Sequence, residues 1–433
     1  MCSYNEAVEY LLDIPKFTKN KNNNNLREIL NKLGNPDRSF KVVHVAGTNG
    51  KGSTCAFMNS ILCKAGYSVG MFTSPHLIKI NERIRINGIN VTDEAFLEAY
   101  MEARKAVEIV MSDGGEHPSF FEYMLIVALV AFARAKVEYV ILEVGLGGRL
   151  DATNIIEKPI VSIITSVSKD HMEILGEDIE SIAYEKAGII KEDTPVIYWG
   201  QDEAVAKVME NTARERRTKA FCVKKDCIKI ESKTNNSIDF SLGRGYDKYG
   251  CLSIPFVMEY QAWNASLVVS AIEESMPYID KEIVLAGLRD ARWPGRMEQI
   301  SPRVYLDGAH NYDGVLQFKN YVAELVAKEQ VGVYILFTVV KEKEYYQMMD
   351  LIEQIDGVKG FLVAPIMNAR ATAVNELAEY LKTSGKPVHT FNLLEDAYRY
   401  GVELKGTEDY LFCVGSLYMV GEIKKLNDTE VRL

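Results

Sequence analysis

VVHVAGTNGKGS, from Val42 to Ser53, decides the fold. Its opening is a β-branched apolar run that reads as a buried strand, and STCAFMNSILCKAG beyond it reads as an amphipathic helix. A strand, a glycine-rich turn and a helix N-terminus are the parts that hold phosphate with backbone N–H groups and the helix dipole. The usual G-x-x-x-x-G-K-[ST] spacing is broken, however. Val45 stands where the first glycine belongs, and Gly52 replaces the hydroxyl residue after Lys51. The lysine is in place and the metal hydroxyl is not, so that oxygen must come from elsewhere. A plain strand-to-helix turn with an exposed lysine competes, and the flanking context weighs against it.

Composition sets the bounds around this loop. At 433 residues the chain is too long for one ordinary core, which predicts two domains. Its 47% hydrophobic and 25% charged residues are those of a soluble globular protein. A net charge of −10 argues against a nucleic-acid or membrane-surface binder, since phosphate-rich partners need a basic footprint. Seven scattered cysteines without a CxxC pair fit a reducing cytoplasm, and no signal peptide is visible. The longest apolar run, Met124 to Ala133, is far short of a membrane span and reads as a core helix.

Along the chain, KNKNNNN (Lys19 to Asn25) is low-complexity and predicts a mobile loop. Strand and helix patterns then alternate. VILEV (Val140 to Val144) and IVSIIT (Ile160 to Thr165) are continuous apolar runs of the kind a parallel sheet buries on both faces. Ser119 and Glu122 form a capping-box pattern before an apolar helix through Ala133. From Phe221 to about Phe256 the pattern predicts short antiparallel strands, followed by a helix around QAWNASLVVSAI. ARWPGRMEQ (Ala291 to Gln299) carries a Trp-Pro-Gly turn and marks a linker at 293–298 between domains 1–292 and 299–433. Beyond it RVYLD, VGVYILF, GFLVA, PVHTF and DYLFCV alternate with helical stretches, which predicts a second, doubly wound α/β domain. No internal repeat is evident.

Several further stretches fall at or near strand ends. TSPHL (Thr73 to Leu77) follows the strand SVGMF, and in an open α/β sheet such loops share one crevice. Ser74 is therefore a candidate for the missing hydroxyl, although Ser-Pro-His is by itself an ordinary turn. EVGLGGRLDATN (Glu143 to Asn154) is not a dinucleotide fingerprint, because Leu150 occupies the last glycine position and no acidic ribose partner is evident. Glu143 ends a hydrophobic strand, where a carboxylate is a magnesium ligand or a buried structural ion; beside a phosphate loop the metal role is favoured. Asp170 and His171 follow IVSIIT, and for His171 magnesium ligation and simple hydrogen bonding stand level. Lys186 lies on an apolar helix: it snorkels to water or, if buried, titrates low and becomes a nucleophilic amine. LDGAHN puts Asp307 and His310 at the end of the second domain's first strand. There they are either a polar turn or, with Arg296 of the linker, groups that reach a nucleotide across an interdomain cleft.

Together GTNGKGS, TSPHL, SFFE, EVGLGGRLDATN, DH, EKAGI, QAWNA, WPGR, LDGAHN and GSLYMVGEI resemble folylpolyglutamate synthase and dihydrofolate synthase, a branch of the Mur ligase superfamily. The ordered set runs from about Leu26 almost to the C-terminus. The resemblance implies a P-loop-type, mostly parallel sheet domain followed by a smaller Rossmann-like α/β domain. It implies a cytoplasmic, monomeric, ATP-dependent ligase that joins L-glutamate to a folate or dihydropteroate carboxylate through an acyl phosphate. By that resemblance Thr48, Asn49, Gly50 and Lys51 bind ATP phosphates, and Asn264, Arg296 and Asp307 contact the nucleotide. Ser74, Glu143 and His171 hold magnesium. Lys186 carries a CO2-derived carbamate serving a second magnesium, so Lys51, His171 and Lys186 form the catalytic set. Ser119, Phe120, Phe121 and Glu122, with Leu150, Asp151 and Ala152, line the pterin-side pocket. The two domains are expected to close about the linker and exclude water from the acyl phosphate. Two stretches depart from the family pattern: Tyr312 stands where proline is usual, and FTVVKEKEY is a loose form of its motif. The rivals are a cell-wall Mur-type ligase, disfavoured by the forms of GTNGKGS and TSPHL, and a non-catalytic folate-binding protein. The joint presence of Lys51, Glu143, His171 and Lys186 disfavours the second, since binding alone needs no metal pair.

Overall fold

The computed structural model describes residues 2–15, 24–243, 245–341, 345–368 and 370–430. The expected loop at 19–23 and residues 342–344 of FTVVKEKEY lie outside these, and Asn24 and Asn25 belong to a helix rather than to the loop. The chain divides into two compact units, Met1–Pro255 with Glu259–Arg292, and Trp293–Leu433 with Phe256–Met258.

The first unit begins α1 (Tyr4–Asp13), α2 (Asn24–Lys32), β1 (Lys41–Ala46), α3 (Lys51–Lys64), β2 (Val69–Phe72), β3 (Ile84–Ile86), β4 (Ile89–Asn90), α4 (Asp93–Ser112) and α5 (Phe120–Arg134). It continues with β5 (Tyr139–Glu143), β6 (Val161–Ile164), α6 (Met172–Leu175), α7 (Ile179–Ala187), β7 (Val196–Trp199), α8 (Glu203–Glu215) and β8 (Ala220–Val223). It ends with β9 (Ile228–Lys233), β10 (Ile238–Leu242), β11 (Cys251–Ile254), α9 (Tyr260–Ser275) and α10 (Lys281–Asp290). An eight-stranded sheet runs β4-β3-β2-β5-β1-β6-β7-β8, parallel from β2 to β8. Strands β2, β5, β6 and β7 are buried along their whole length, as both-face burial in a parallel sheet requires. The antiparallel β3–β4 hairpin turns on Asn87 and Gly88, both at positive φ, the Asn-Gly signature of a type I′ turn.

Two expectations about this unit are corrected. Helix α3 is not amphipathic: Gly52 through Asn59 are all buried, and it packs against α10, α9 and β5. Its polar residues Ser53, Thr54 and Asn59 are buried rather than marking a solvent face. Phe221 belongs to β8 and extends the large sheet in parallel, so the antiparallel three-stranded sheet β11-β10-β9 begins only at Ile228.

The second unit contains β12 (Glu298–Ser301), β13 (Val304–Asp307), α11 (Tyr312–Glu329), β14 (Val333–Phe337), α12 (Tyr345–Glu353) and β15 (Val358–Val363). Then come α13 (Val374–Leu381), β16 (Val388–Thr390), α14 (Leu394–Lys405), β17 (Tyr410–Val414) and α15 (Leu417–Glu430). The five expected strands pair in parallel, in the order β13-β17-β14-β15-β16. The short polar β12 adds an antiparallel edge that the sequence pattern did not announce. Among the described residues no helix is long and apolar enough to cross a membrane.

Candidate active site

Because β1 lies between β5 and β6, the carboxyl ends of these strands bring their loops to one edge. The glycine loop needs its glycines for contact as well as conformation. Gly47 has φ +146, and a Cβ there would lie 1.8 Å from Thr165 Oγ1; Gly50 has φ +88, and its Cβ would lie 2.4 Å from Asn264 Oδ1. Asn264, buried on α9, thus seats against the turn that caps α3. The segment after β6 braces the loop. Thr48 donates its N–H to Ser166 O (2.7 Å) and its hydroxyl to Ser168 O (3.0 Å), while Thr165 Oγ1 donates to Asn49 O (2.7 Å). Lys51 opens α3, and its Nζ donates to Gly47 O and Thr48 O, both at 3.1 Å.

Glu143, buried at the end of β5, accepts the N–H of Ser74 at 2.9 Å, so these two candidate oxygen donors are neighbours. Lys186 is only 3% exposed and its Nζ donates to Gly47 O at 2.9 Å, the same carbonyl that Lys51 binds. Burial first, and then the Lys51 charge, lower the Lys186 pKa to about 7 against the opposing pull of Asp170. The amine is therefore buried rather than snorkelling. His171 sits at φ +53, a left-handed conformation that costs a non-glycine residue about 1–2 kcal/mol. Its ring is 47% exposed, with Nε2 at 3.8 Å from Asp170 Oδ1.

The pterin-side stretches divide by role. Ser119 caps α5: its hydroxyl accepts the N–H of Glu122, whose carboxylate accepts the Ser119 N–H at 2.7 Å. Phe121 stands 5.5 Å from the Phe72 ring, and a Cβ on Gly145 would come within 2.6 Å of it. The Arg83 guanidinium covers the Phe120 ring at 5.1 Å and donates to His76 Nδ1 of TSPHL at 2.9 Å. Leu150 is exposed and Ala152 is buried at the start of a 3-10 turn. The Asp151 carboxylate is turned into its own loop, where it accepts the N–H groups of Gly145, Leu146 and Thr153. Burial raises its pKa and those bonds oppose the rise.

In the second unit Asp307 is buried at the end of β13 and accepts the N–H groups of Met297 and Ala309, both at 2.8 Å. Burial raises its pKa, against the neighbouring Arg296 charge. A Cβ on Gly308 would lie 2.7 Å from the Arg296 guanidinium, and His310 Nδ1 is 2.7 Å from Gly308 O. Tyr312 is the first residue of α11, capped by the Asn311 side chain.

The sequence reading passed over Ser53 and Thr54. Both hydroxyls are buried at the first turn of α3 without a hydrogen-bond partner among the described residues, and their place just after Lys51 and Gly52 was the available signal. Unpaired hydroxyls at a helix N-terminus fit a phosphate group. For magnesium the fit rests on oxygen donors, the Glu143 carboxylate with the Ser74 hydroxyl beside it. Among the described residues no three His, Cys, Asp or Glu side chains form a cation cage.

Comparison with known proteins bears on the family and the fold. Residues 45–272 match the Mur ligase middle domain. The chain is 35% identical over 432 residues to a dihydrofolate synthase/folylpolyglutamate synthase of Bacillus subtilis, covering 98% of this chain and 99% of that protein. It is similar to the structure of E. coli FolC in complex with DHPP and ADP, with a TM-score of 0.85, 29% identity and coverage of 99% and 98%. A bifunctional folylpolyglutamate synthase/dihydrofolate synthase of Yersinia pestis, complexed with AMPPNP and a Mn ion, gives 0.83 at 27% identity, covering 98% of each chain.

Proposed function

The chain belongs to the dihydrofolate synthase/folylpolyglutamate synthase family, and from that premise we propose that it is an ATP-dependent ligase joining L-glutamate to a folate or dihydropteroate carboxylate. The observation that carries this reading is the convergence of Lys51 and the buried Lys186 on the Gly47 carbonyl. A lysine at the helix N-terminus and a second, buried amine gathered at one glycine loop suit a polyphosphate site and have no use in an unadorned turn.

A carboxylate is a poor acylating agent, so the γ-phosphoryl group of ATP passes to it, giving an acyl phosphate and ADP. The glutamate amine attacks that acyl carbon, and the tetrahedral intermediate expels phosphate. Lys51, the N–H groups of Asn49 and Gly50 and the Ser53 and Thr54 hydroxyls take up charge on the phosphates. Asn264 in the first unit and Arg296 with Asp307 in the second are the proposed nucleotide contacts. Phe121 and the exposed Leu150 offer apolar surface to the pterin side, Phe120 backs it from the core, and Ser119, Glu122 and Asp151 shape it through their bonds to backbone. Ser74, Glu143 and His171 would hold one magnesium ion and a carbamate on Lys186 a second. Bound there, magnesium supplies charge neutralisation of the phosphoryl oxygens. The carbamate is supported by the Lys186 amine itself: with a pKa near 7 it is substantially neutral at neutral pH and able to add carbon dioxide. Seven free cysteines support a reducing, cytoplasmic setting, and a monomer completes the proposal.

The test is ADP formation with ATP and glutamate, offering dihydropteroate, a reduced folate and a UDP-muramyl peptide in turn. A pterin substrate is expected to give turnover, and Lys51→Ala to abolish it with the circular dichroism spectrum unchanged. Turnover on the sugar peptide alone would move the chain to the cell-wall branch of the superfamily.

A further inference from the structure

His44 is fully buried on β1, and its Nε2 lies 2.9 Å from Thr153 Oγ1. Thr153 Oγ1 lies 2.5 Å from Asp151 Oδ1, and Asp151 collects three backbone N–H groups besides. A carboxylate holding that many donors acts as acceptor only, so the Thr153 hydroxyl donates to it. The threonine lone pair must then accept from His44, which fixes the imidazole as the Nε2–H tautomer. Nδ1 has no hydrogen-bond partner among the described residues, as suits the unprotonated nitrogen. Burial and then the Lys191 charge hold the ring neutral, with its pKa near 3.

The loop that Asp151 ties together leans in turn on α7. Arg149 donates its N–H to Glu185 O at 2.7 Å, and its guanidinium pairs with the Glu185 carboxylate at 2.7 Å. The contact is too close for any side chain at two glycines. A Cβ on Gly148 would lie 2.8 Å from Glu185 O and 3.0 Å from Lys186 O, and one on Gly188 2.3 Å from Arg149 Cα. Lys186 follows Glu185, and its Nζ reaches Gly47 O just beyond the end of β1. The contacts therefore form a ring that leaves β1 at His44, crosses Thr153, Asp151, residues 145–149, Glu185 and Lys186, and closes at Gly47, the residue that follows β1.

We propose that His44, Thr153 and Asp151 form a positioning relay that fixes where Lys186 stands against the phosphate loop. None of the three needs to touch a reacting atom; their part in the reaction is exerted through the loop. The inference rests on the ligase reading given above.

Two pairs of variants test it. Thr153→Val removes the linking hydroxyl at nearly constant shape, and Thr153→Ser keeps it. His44→Leu removes the donor, and His44→Gln keeps an N–H of similar reach. A misplaced Lys186 is expected to lower kcat roughly 10- to 100-fold in Thr153→Val and to raise the magnesium needed for half-maximal rate. Thr153→Ser and His44→Gln are expected to stay close to wild type. Nitrogen-15 NMR of histidine-labelled protein, which needs no turnover, should find His44 as the Nε2–H tautomer, with that proton exchanging faster in Thr153→Val. An Nδ1–H tautomer, or a Thr153→Val enzyme that loses Tm while keeping wild-type kcat and magnesium dependence, overturns the relay. A wild-type protein inactive with every pterin would instead sink the ligase reading, and the tautomer result would stand apart from it.

Discussion

At Lys186, burial and the Lys51 ammonium bring the amine from 10.5 to about 7. Between those values the unfolded chain binds more protons at this site than the folded one, so this group makes stability rise with pH across the window. Below pH 7 the folded protein carries the buried cation and its full penalty. Lys186→Met keeps an apolar stem and drops the charge. In metal-free protein purged of carbon dioxide it is expected to raise Tm most below pH 7, and to lose the advantage as pH approaches 10.5. A Tm difference constant across the window would contradict a buried titrating amine. Ser74 is tested through its hydroxyl alone, because its backbone N–H to Glu143 survives in Ser74→Ala. That variant is expected to need more magnesium for half-maximal rate; an unchanged titration would leave Ser74 as a turn residue. Residue types were legible here and environments were not. The apolar neighbours of Lys186 left snorkelling and burial open, and only the fold brings its Nζ to Gly47, 139 positions away in sequence.

At the scale of elements, local patterns read well where the chain itself satisfies them. The Ser119–Glu122 box is complete within one turn, so four residues sufficed to reveal it. Ser119→Ala is expected to cost about 1 kcal/mol of stability, read as a lower denaturant midpoint at unchanged slope. An unchanged midpoint would mean the cap contributes nothing to α5. Patterns read poorly where distant segments supply the partner. Helix α3 looked two-faced because Ser53, Thr54, Asn59 and Ser60 are polar, yet α10 and α9 cover it, and the Ser60 hydroxyl donates to Gly287 O. The Asn-Gly turn of RINGIN between β3 and β4 went unread although its signal is local, whereas β12, with Glu298, Gln299 and Ser301, had neither alternation nor a run of apolar residues to mark it.

In the whole molecule, alternating strand and helix patterns announced parallel α/β architecture, while strand order was settled by packing that no local window contains. That order has an energetic consequence. With β1 between β5 and β6, the glycine loop, Glu143 and the bracing Thr165–Ser168 segment all hang from three adjacent central strands of the first unit. A ligand held there adds its binding free energy to any opening that breaks those strands, about 2.7 kcal/mol at a hundredfold excess over its dissociation constant. ADP with magnesium is therefore expected to slow amide exchange in β1, β5 and β6 by roughly a hundredfold where exchange passes through that opening. Lys51→Ala removes the cation that anchors the phosphates without touching a strand residue. At the same ligand concentration it should lose most of the added protection and keep the protection of the unliganded protein. Exchange measured by mass spectrometry on both proteins decides the point. Equal slowing in Lys51→Ala would place the nucleotide away from the glycine loop, and with it the chemistry assigned to the end of β1.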